Sequence, residues 1–213
     1  MVQKQIRWVG SALDDLRTFT ANARREAGYQ LYRVQGGLVP TDWKPMSSVG
    51  RGVYEIRSRG GRDYRVFYVA AFEEAVYVLH AFEKRTQKTR AADVELGKKR
   101  LAAVQRARKR QETTMARRIQ RSSGNVFQDL GFDTEEAENL RVRSELMMEL
   151  SKLIKRRRLT QAKAATLLDV TQPRVSDLMR GKIHRFSVDS LIEMLGRAGM
   201  RVDVTTRRTR RGA

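Results

Sequence analysis

Residues 159–182 read Leu-Thr-Gln-Ala-Lys-Ala-Ala-Thr-Leu-Leu-Asp-Val-Thr-Gln-Pro-Arg-Val-Ser-Asp-Leu-Met-Arg-Gly-Lys, and their spacing decides the C-terminal part of the chain. Thr160-Gln161 opens a helix in the manner of an N-cap. Ala164 and Ala165 supply the small side chains that let two helices cross closely, while Leu167 and Leu168 face inward. Asp169-Val170 makes a turn with Val170 buried. Thr171 caps a second helix, whose apolar face is Val175 and Leu178, three residues apart. Pro173 falls in the first turn of that helix, where a missing N–H costs little. Gln172, Arg174 and Ser176 are left with no packing role. Their amide, guanidinium and hydroxyl groups are the chemistry that pairs with base edges. A helical hairpin that mediates only protein contacts would show the same apolar spacing, so the polar face carries the distinction.

Working outward, Glu135–Arg158 is a long amphipathic stretch, and Gly181, Ser187 and Gly199 punctuate later helices. Arg201–Arg207 alternates like a short strand, which reads either as a pairing surface or as a frayed basic end. The run 159–182 resembles the XRE (lambda-repressor-like) family. The turn position held here by Asp169 is usually Gly there, and Asp tolerates left-handed geometry better than most residues. The resemblance implies that Gln172, Arg174 and Ser176 approach the major groove of operator DNA, and that Gln161, Thr171, Arg180 and Lys182 meet phosphates. One such helix reads only a few base pairs, so a homodimer, formed through the C-terminal half, is expected on a palindromic operator. The preceding Ser-Gly-Asn-Val-Phe-Gln-Asp-Leu-Gly-Phe, residues 123–132, resembles the opening of HigA-like antitoxins.

Composition agrees with a nucleic-acid partner. The 213 residues carry 44 Lys and Arg against 24 Asp and Glu, a formal net charge of +20, with a pI near 11.1. Such a field favours a polyanion or an anionic membrane surface. The charge is spread along the chain. Residues 1–110 hold 23 basic and 11 acidic side chains, a net +12; residues 111–213 hold 21 and 13, a net +8. No cysteine is present, which excludes disulfides and thiolate metal sites, and two histidines, His80 and His184, make a poor metal set. No apolar run is long enough to span a bilayer, and residues 1–30 lack the apolar middle of a signal peptide. The expectation is a cytoplasmic protein with no metal, no cofactor and no membrane partner.

The first half has a different rhythm. Leu13, Leu16, Phe19 and Ala23 suit a helix over Ala12–Ala23, and a shorter helix is expected over Glu26–Gly36. Three strands follow, at Gly52–Arg59, Arg62–Ala70 and Ala75–Phe82, with Gly60-Gly61 as a hairpin turn between the first two. From Ala91 onward Val94, Leu96, Leu101 and Val104 return to helical spacing. The order predicts a small α+β domain with a three- to four-stranded antiparallel sheet over residues 1–110. An all-α domain over residues 125–213 and a polar joint over residues 111–124 complete the chain. Tyr54-Glu55-Ile56-Arg57, Tyr64-Arg65-Val66-Phe67-Tyr68 and the run from Leu79 to Thr89 resemble the RelE/HigB toxin superfamily, in its phage-type HigB-like branch.

That resemblance implies a ribosome-dependent endoribonuclease acting on mRNA. Cleavage by attack of a 2′-OH needs a proton acceptor, a proton donor and cations for the developing phosphorane charge. Arg57 and Arg65 sit on neighbouring expected strands, and Lys84 and Arg85 follow the third. His80 is the imidazole of this half, in a pKa range suited to proton transfer; a structural strand histidine is the competing reading. No Tyr or His occurs in 84–110, so the general acid is unassigned.

A toxin-like half followed by an antitoxin-like half reads as a type II toxin–antitoxin module in one chain, which cleaves mRNA, neutralises itself and represses its own operon. Met115 is either a plain linker residue or the old start of a second polypeptide. Asp129, Asp133, Glu135, Glu136 and Glu138 form the most acidic stretch. They suit a mask over the arginines of the first half, or simply a helix start. The alternative function is a DNA-binding regulator whose RelE-like domain is an inactive partner-binding module.

Overall fold

The strand signals of the first half build a larger sheet than the periodicity implied. The computed structural model describes residues 3–58, 62–110 and 119–206. Among them six strands pair in the order β2–β3–β4–β5–β1–β6. These are β1 (Gln5–Val9), β2 (Trp43–Pro45), β3 (Val53–Ser58), β4 (Tyr64–Val69), β5 (Ala75–Glu83) and β6 (Ile119–Arg121). β2 to β5 form an antiparallel meander, β1 lies parallel to β5, and β6 runs antiparallel to β1. The expected three- to four-stranded antiparallel sheet is therefore a mixed sheet of six strands. A parallel pair needs a long crossover and leaves no hairpin turn in the sequence, so β1 gave no signal beyond Ile6, Trp8 and Val9. The Gly60-Gly61 turn lies outside the described residues.

The helix expected over Ala12–Ala23 is broken in two. α1 (Ala12–Arg17) ends at Thr18, and α2 (Ala21–Gln35) restarts behind Thr20, whose hydroxyl accepts from the Ala23 N–H. The Glu26–Gly36 helix is the continuation of α2. α1 and α2 cover the sheet face of Ile6, Trp8, Ile56, Val66, Val76 and Val78. α3 (Ala91–Arg110) covers the other face, where Leu101 and Val104 meet Val53, Phe67, Tyr77 and Phe82.

The second half is helical as its periodicity requires. It comprises α4 (Val126–Asp129), α5 (Thr134–Arg156), α6 (Gln161–Leu168), α7 (Gln172–Arg180), a 3₁₀ turn at Ile183–Arg185 and α8 (Val188–Arg197). Side chains of Asn125, Asp133, Thr160 and Ser187 cap the helices they precede. Asp169 takes the left-handed turn at φ 50°. Two expectations change. The polar joint over 111–124 contains strand β6, which completes the sheet of the first half, while Met115 lies outside the described residues. Residues 201–206 form no strand, so the strand-like tail is corrected as far as it is described; Arg207 lies outside.

One hydrophobic core runs through both halves. Phe127, Leu130 and Phe132 share it with Tyr29, Leu31 and Tyr32 of α2. At Gly28 a Cβ would stand 2.6 Å from the Phe127 ring, so only glycine lets α4 approach α2 this closely. From Ala27 through Gln35 every residue of α2 is buried. Replacing Phe127 with Ala is expected to cost about 3–5 kcal/mol, read as a lower urea midpoint for the full chain. A midpoint equal to wild type would contradict a shared core.

Candidate nucleic-acid interface

α6, the Asp169 turn and α7 make a helix-turn-helix held from within by Ala164, Leu168, Val175 and Leu178, all buried. Gln161, Thr171, Gln172 and Arg180 are exposed, and Ser176 and Lys182 are half-buried. Thr171 occupies the N-cap of α7, but its side chain makes no cap hydrogen bond. Arg174 is not idle, contrary to the expectation from spacing. Its guanidinium lies 4.2 Å above the Phe186 ring, a cation–π contact that parks it beside the helix. Lys182 is also engaged, 2.9 Å from Asp177, which Arg185 holds from the other side at 2.8 Å. Burial pushes the Asp177 carboxyl up, but these two cations together hold it below the usual carboxylate range.

The cations of the sheet gather around a carboxylate that spacing did not single out. Arg57 and Arg65 stand directly opposite each other on β3 and β4. Glu55, 1 % exposed, lies 3.2 Å from Arg57, 3.4 Å from Arg65 and 3.9 Å from Lys44. Asp42 and Asp63 approach the same two arginines at 3.7 Å. The alternation of β3 was the available signal, since Glu55 and Arg57 point to one face. Lys84 and Arg85 follow β5; the Lys84 N–H donates to the Asp63 carbonyl at 2.6 Å, and Arg85 is exposed, 3.6 Å from Glu83. His80 is set apart from these groups. It is buried between Phe67 and Phe82, its Nε2 is 3.0 Å from Asp93, and its Nδ1 lies 3.4 Å from Arg100 and 3.6 Å from Asp15. This network ties β5 to α1 and α3.

The two halves meet along α1, α2 and the loop before β2. Trp8 donates to the Asp129 carboxylate at 3.1 Å, and Arg17 and Arg24 donate to the carbonyls of Asp129 and Leu130. Arg25 pairs with Glu136 at 2.6 Å, and both Arg24 and Arg25 lie over the Phe132 ring. Tyr32 donates to Glu145 at 2.7 Å; burial and that carboxylate push its hydroxyl up to about 12. The acidic stretch thus reaches α2 and not Arg57 or Arg65. Asp133 caps α5, and Glu138 turns back to Arg141. A cleft of about 470 Å³ remains at the junction, lined by Glu26, Asp42 and Arg57 of one half and by Met179, Arg180 and Lys182 of the other.

Comparison with known proteins divides the chain the same way. Residues 126–207 match a family described as a helix-turn-helix domain. A solved chain described as an XRE family transcriptional regulator is 35 % identical over 37 % of this chain and 88 % of its own length, with a TM-score of 0.34. Through this region the chain carries an XRE-like helix-turn-helix domain. Residues 14–102 match the family described as phage derived protein Gp49-like, and the first half fits that toxin family. No curated protein matches the chain.

His184 of the XRE-like domain faces Glu26 of the Gp49-like domain at 3.6 Å. Burial holds its pKa below the ordinary 6.5; Glu26 opposes that, while Arg185, Arg25 and Lys182 add to it. The unfolded chain therefore takes up this proton first. Above pH about 6.5 the group is neutral in both states and has no effect; below it, stability falls as pH falls. The difference in unfolding free energy between wild type and His184→Gln should shift against wild type between pH 7.5 and 5. A pH-independent difference would refute the coupling.

Proposed function

We propose that the chain is a complete toxin–antitoxin module. In this reading the Gp49-like half is a ribosome-dependent mRNA endoribonuclease of HigB type. The XRE-like half, of HigA type, neutralises it in the cytoplasm and represses the operon as a dimer on operator DNA. The observation that carries the reading is the docking of the second half on the first, through the core at Gly28 and Phe127 and the strand β6 added to β1. For the RNA step, Arg57, Arg65, Lys84 and Arg85 bind phosphate and stabilise the charge that develops as a 2′-OH attacks phosphorus and the 5′-oxygen leaves. His80, enclosed by two aromatic rings, is assigned to holding the fold. Expressing residues 1–110 alone should arrest growth and cut mRNA only during translation, the full chain should do neither, and a folded Arg65→Ala fragment should be silent. Undiminished cleavage by that variant would remove Arg65 from the site.

A second reading has its own support. Arg57 and Arg65 already have carboxylate partners in Glu55, Asp42 and Asp63, as befits a domain kept for binding rather than chemistry. It makes the chain a DNA-binding regulator with an inactive RelE-like module, and a 1–110 fragment that is folded yet harmless would favour it.

For DNA, α7 enters the major groove with Gln172, Arg174 and Ser176 at base edges, and Gln161, Thr171, Arg180 and Lys182 contact phosphates. Arg174 leaves Phe186 to do so. Arg174→Ala should remove sequence preference, costing on the order of 1–3 kcal/mol at the operator. Lys182→Ala should weaken operator and random duplex alike and flatten the salt dependence. Competition footprinting separates the two, and an unchanged operator-to-random ratio for Arg174→Ala would displace the recognition helix.

A further inference from the structure

The last turn of α7 is finished by the other half of the chain. A helix leaves its final carbonyls without intrahelical donors. In α7 the turn at Gly181 supplies some of them: the Gly181 N–H reaches the Leu178 carbonyl at 3.1 Å, and the Lys182 N–H reaches the Asp177 carbonyl at 3.0 Å. The Arg180 carbonyl accepts from the Thr41 hydroxyl, at 3.0 Å. Thr41 is itself fixed. Gln30 Nε2 donates to its Oγ1 at 2.8 Å, and its own N–H donates to Gln30 Oε1 at 2.9 Å. Gln30 lies on the buried stretch of α2. Gly181 has φ 76°, and a Cβ there would stand 2.5 Å from Gln30 Nε2 and 2.7 Å from the Tyr29 ring. The end of α7 is thus seated against α2 and the loop before β2.

We propose that Thr41 and Gln30 are positioning residues for operator binding: they cap and orient α7 from the first half, so that the pose of its groove-facing residues depends on the docked Gp49-like domain. This rests on the DNA-binding reading of α7. Base-edge hydrogen bonds are directional and fail when a helix tilts. Phosphate attraction is tolerant of small shifts. Loss of the cap therefore weakens operator binding selectively, without removing any charge.

The test uses the full-length protein, with duplex from upstream of its own gene and a random duplex, titrated by fluorescence anisotropy at several salt concentrations. Thr41→Val keeps the shape and drops the donor; Thr41→Ser keeps the donor. Thr41→Val should lose roughly 3- to 5-fold in operator affinity, the scale of one intramolecular hydrogen bond. Its random-duplex affinity and salt slope should match wild type, and Thr41→Ser should recover the operator affinity. Hydrogen exchange should quicken in the last turn of α7 for Thr41→Val alone. Wild-type operator affinity in Thr41→Val overturns the proposal and leaves the DNA reading standing. An equal loss on both duplexes, or an altered salt slope, overturns it too. If wild type itself prefers neither duplex, the DNA reading fails and the positioning role falls with it.

Discussion

From Ala27 through Gln35 helix α2 has no residue turned to water, and the rest of the molecule is arranged around that fact. A helix buried all round is ordinarily apolar all round. This one carries Gln30, Arg33 and Gln35 in the buried stretch, and each finds a partner. Gln30 takes Thr41, Arg33 reaches the Val39 carbonyl and the Tyr29 hydroxyl, and Gln35 donates to the Lys4 carbonyl. Buried polar groups without such partners would be costly. One side of α2 packs on the sheet. The other takes Phe127 over Gly28, with Tyr32 stacked 6.4 Å from the Phe127 ring. Removing either neighbour would strip a side of α2 bare, so the two domains share a structural element although their families are separate.

The sequence made some of this legible and hid the rest, for identifiable reasons. The helix-turn-helix shows in spacing because its two helices are short, capped by Thr160 and closed by a left-handed Asp169, and they pack on each other through near neighbours in sequence. β3, β4 and β5 are equally readable, being adjacent antiparallel strands rich in Val, Tyr and Phe. β1 escaped because its partner β5 lies some seventy positions away in the parallel sense. β6 escaped because Ile-Gln-Arg carries too little pattern to mark a strand. Arg174 was read as unpacked because apolar periodicity does not register a guanidinium stacked on Phe186. Glu55 was passed over for a related reason: a buried carboxylate among cations is recognised only when the strands are laid side by side.

β6 gives the seam between the halves a physical meaning. An open sheet edge presents unpaired backbone groups and invites foreign strands. The edge at β1 is covered by residues that belong, by chain order, to the helical half. The same residues lead through Ser123, whose N–H donates to Asp129, into the buried turn that carries Phe127. Strand, ion pair and aromatic plug therefore come from one short stretch of chain, and they engage one surface, so their contributions are coupled.

The charges explain why this contact needs acidic residues at all. Two domains with net charges of +12 and +8 repel at a distance, but that repulsion is screened over roughly 8–10 Å in ordinary salt. What remains at contact is local, and there the second half presents Asp129 and Glu136 to Trp8 and Arg25. Glu136 is used against Arg25 of α2 and Asp129 against Trp8 of β1, and neither is spent on Arg57 or Arg65. Arg57 and Arg65 consequently keep the carboxylates of their own domain, Glu55, Asp42 and Asp63. Asp42 and Asp63 are the outer partners, while Glu55 stays buried beneath and holds the two guanidinium groups side by side.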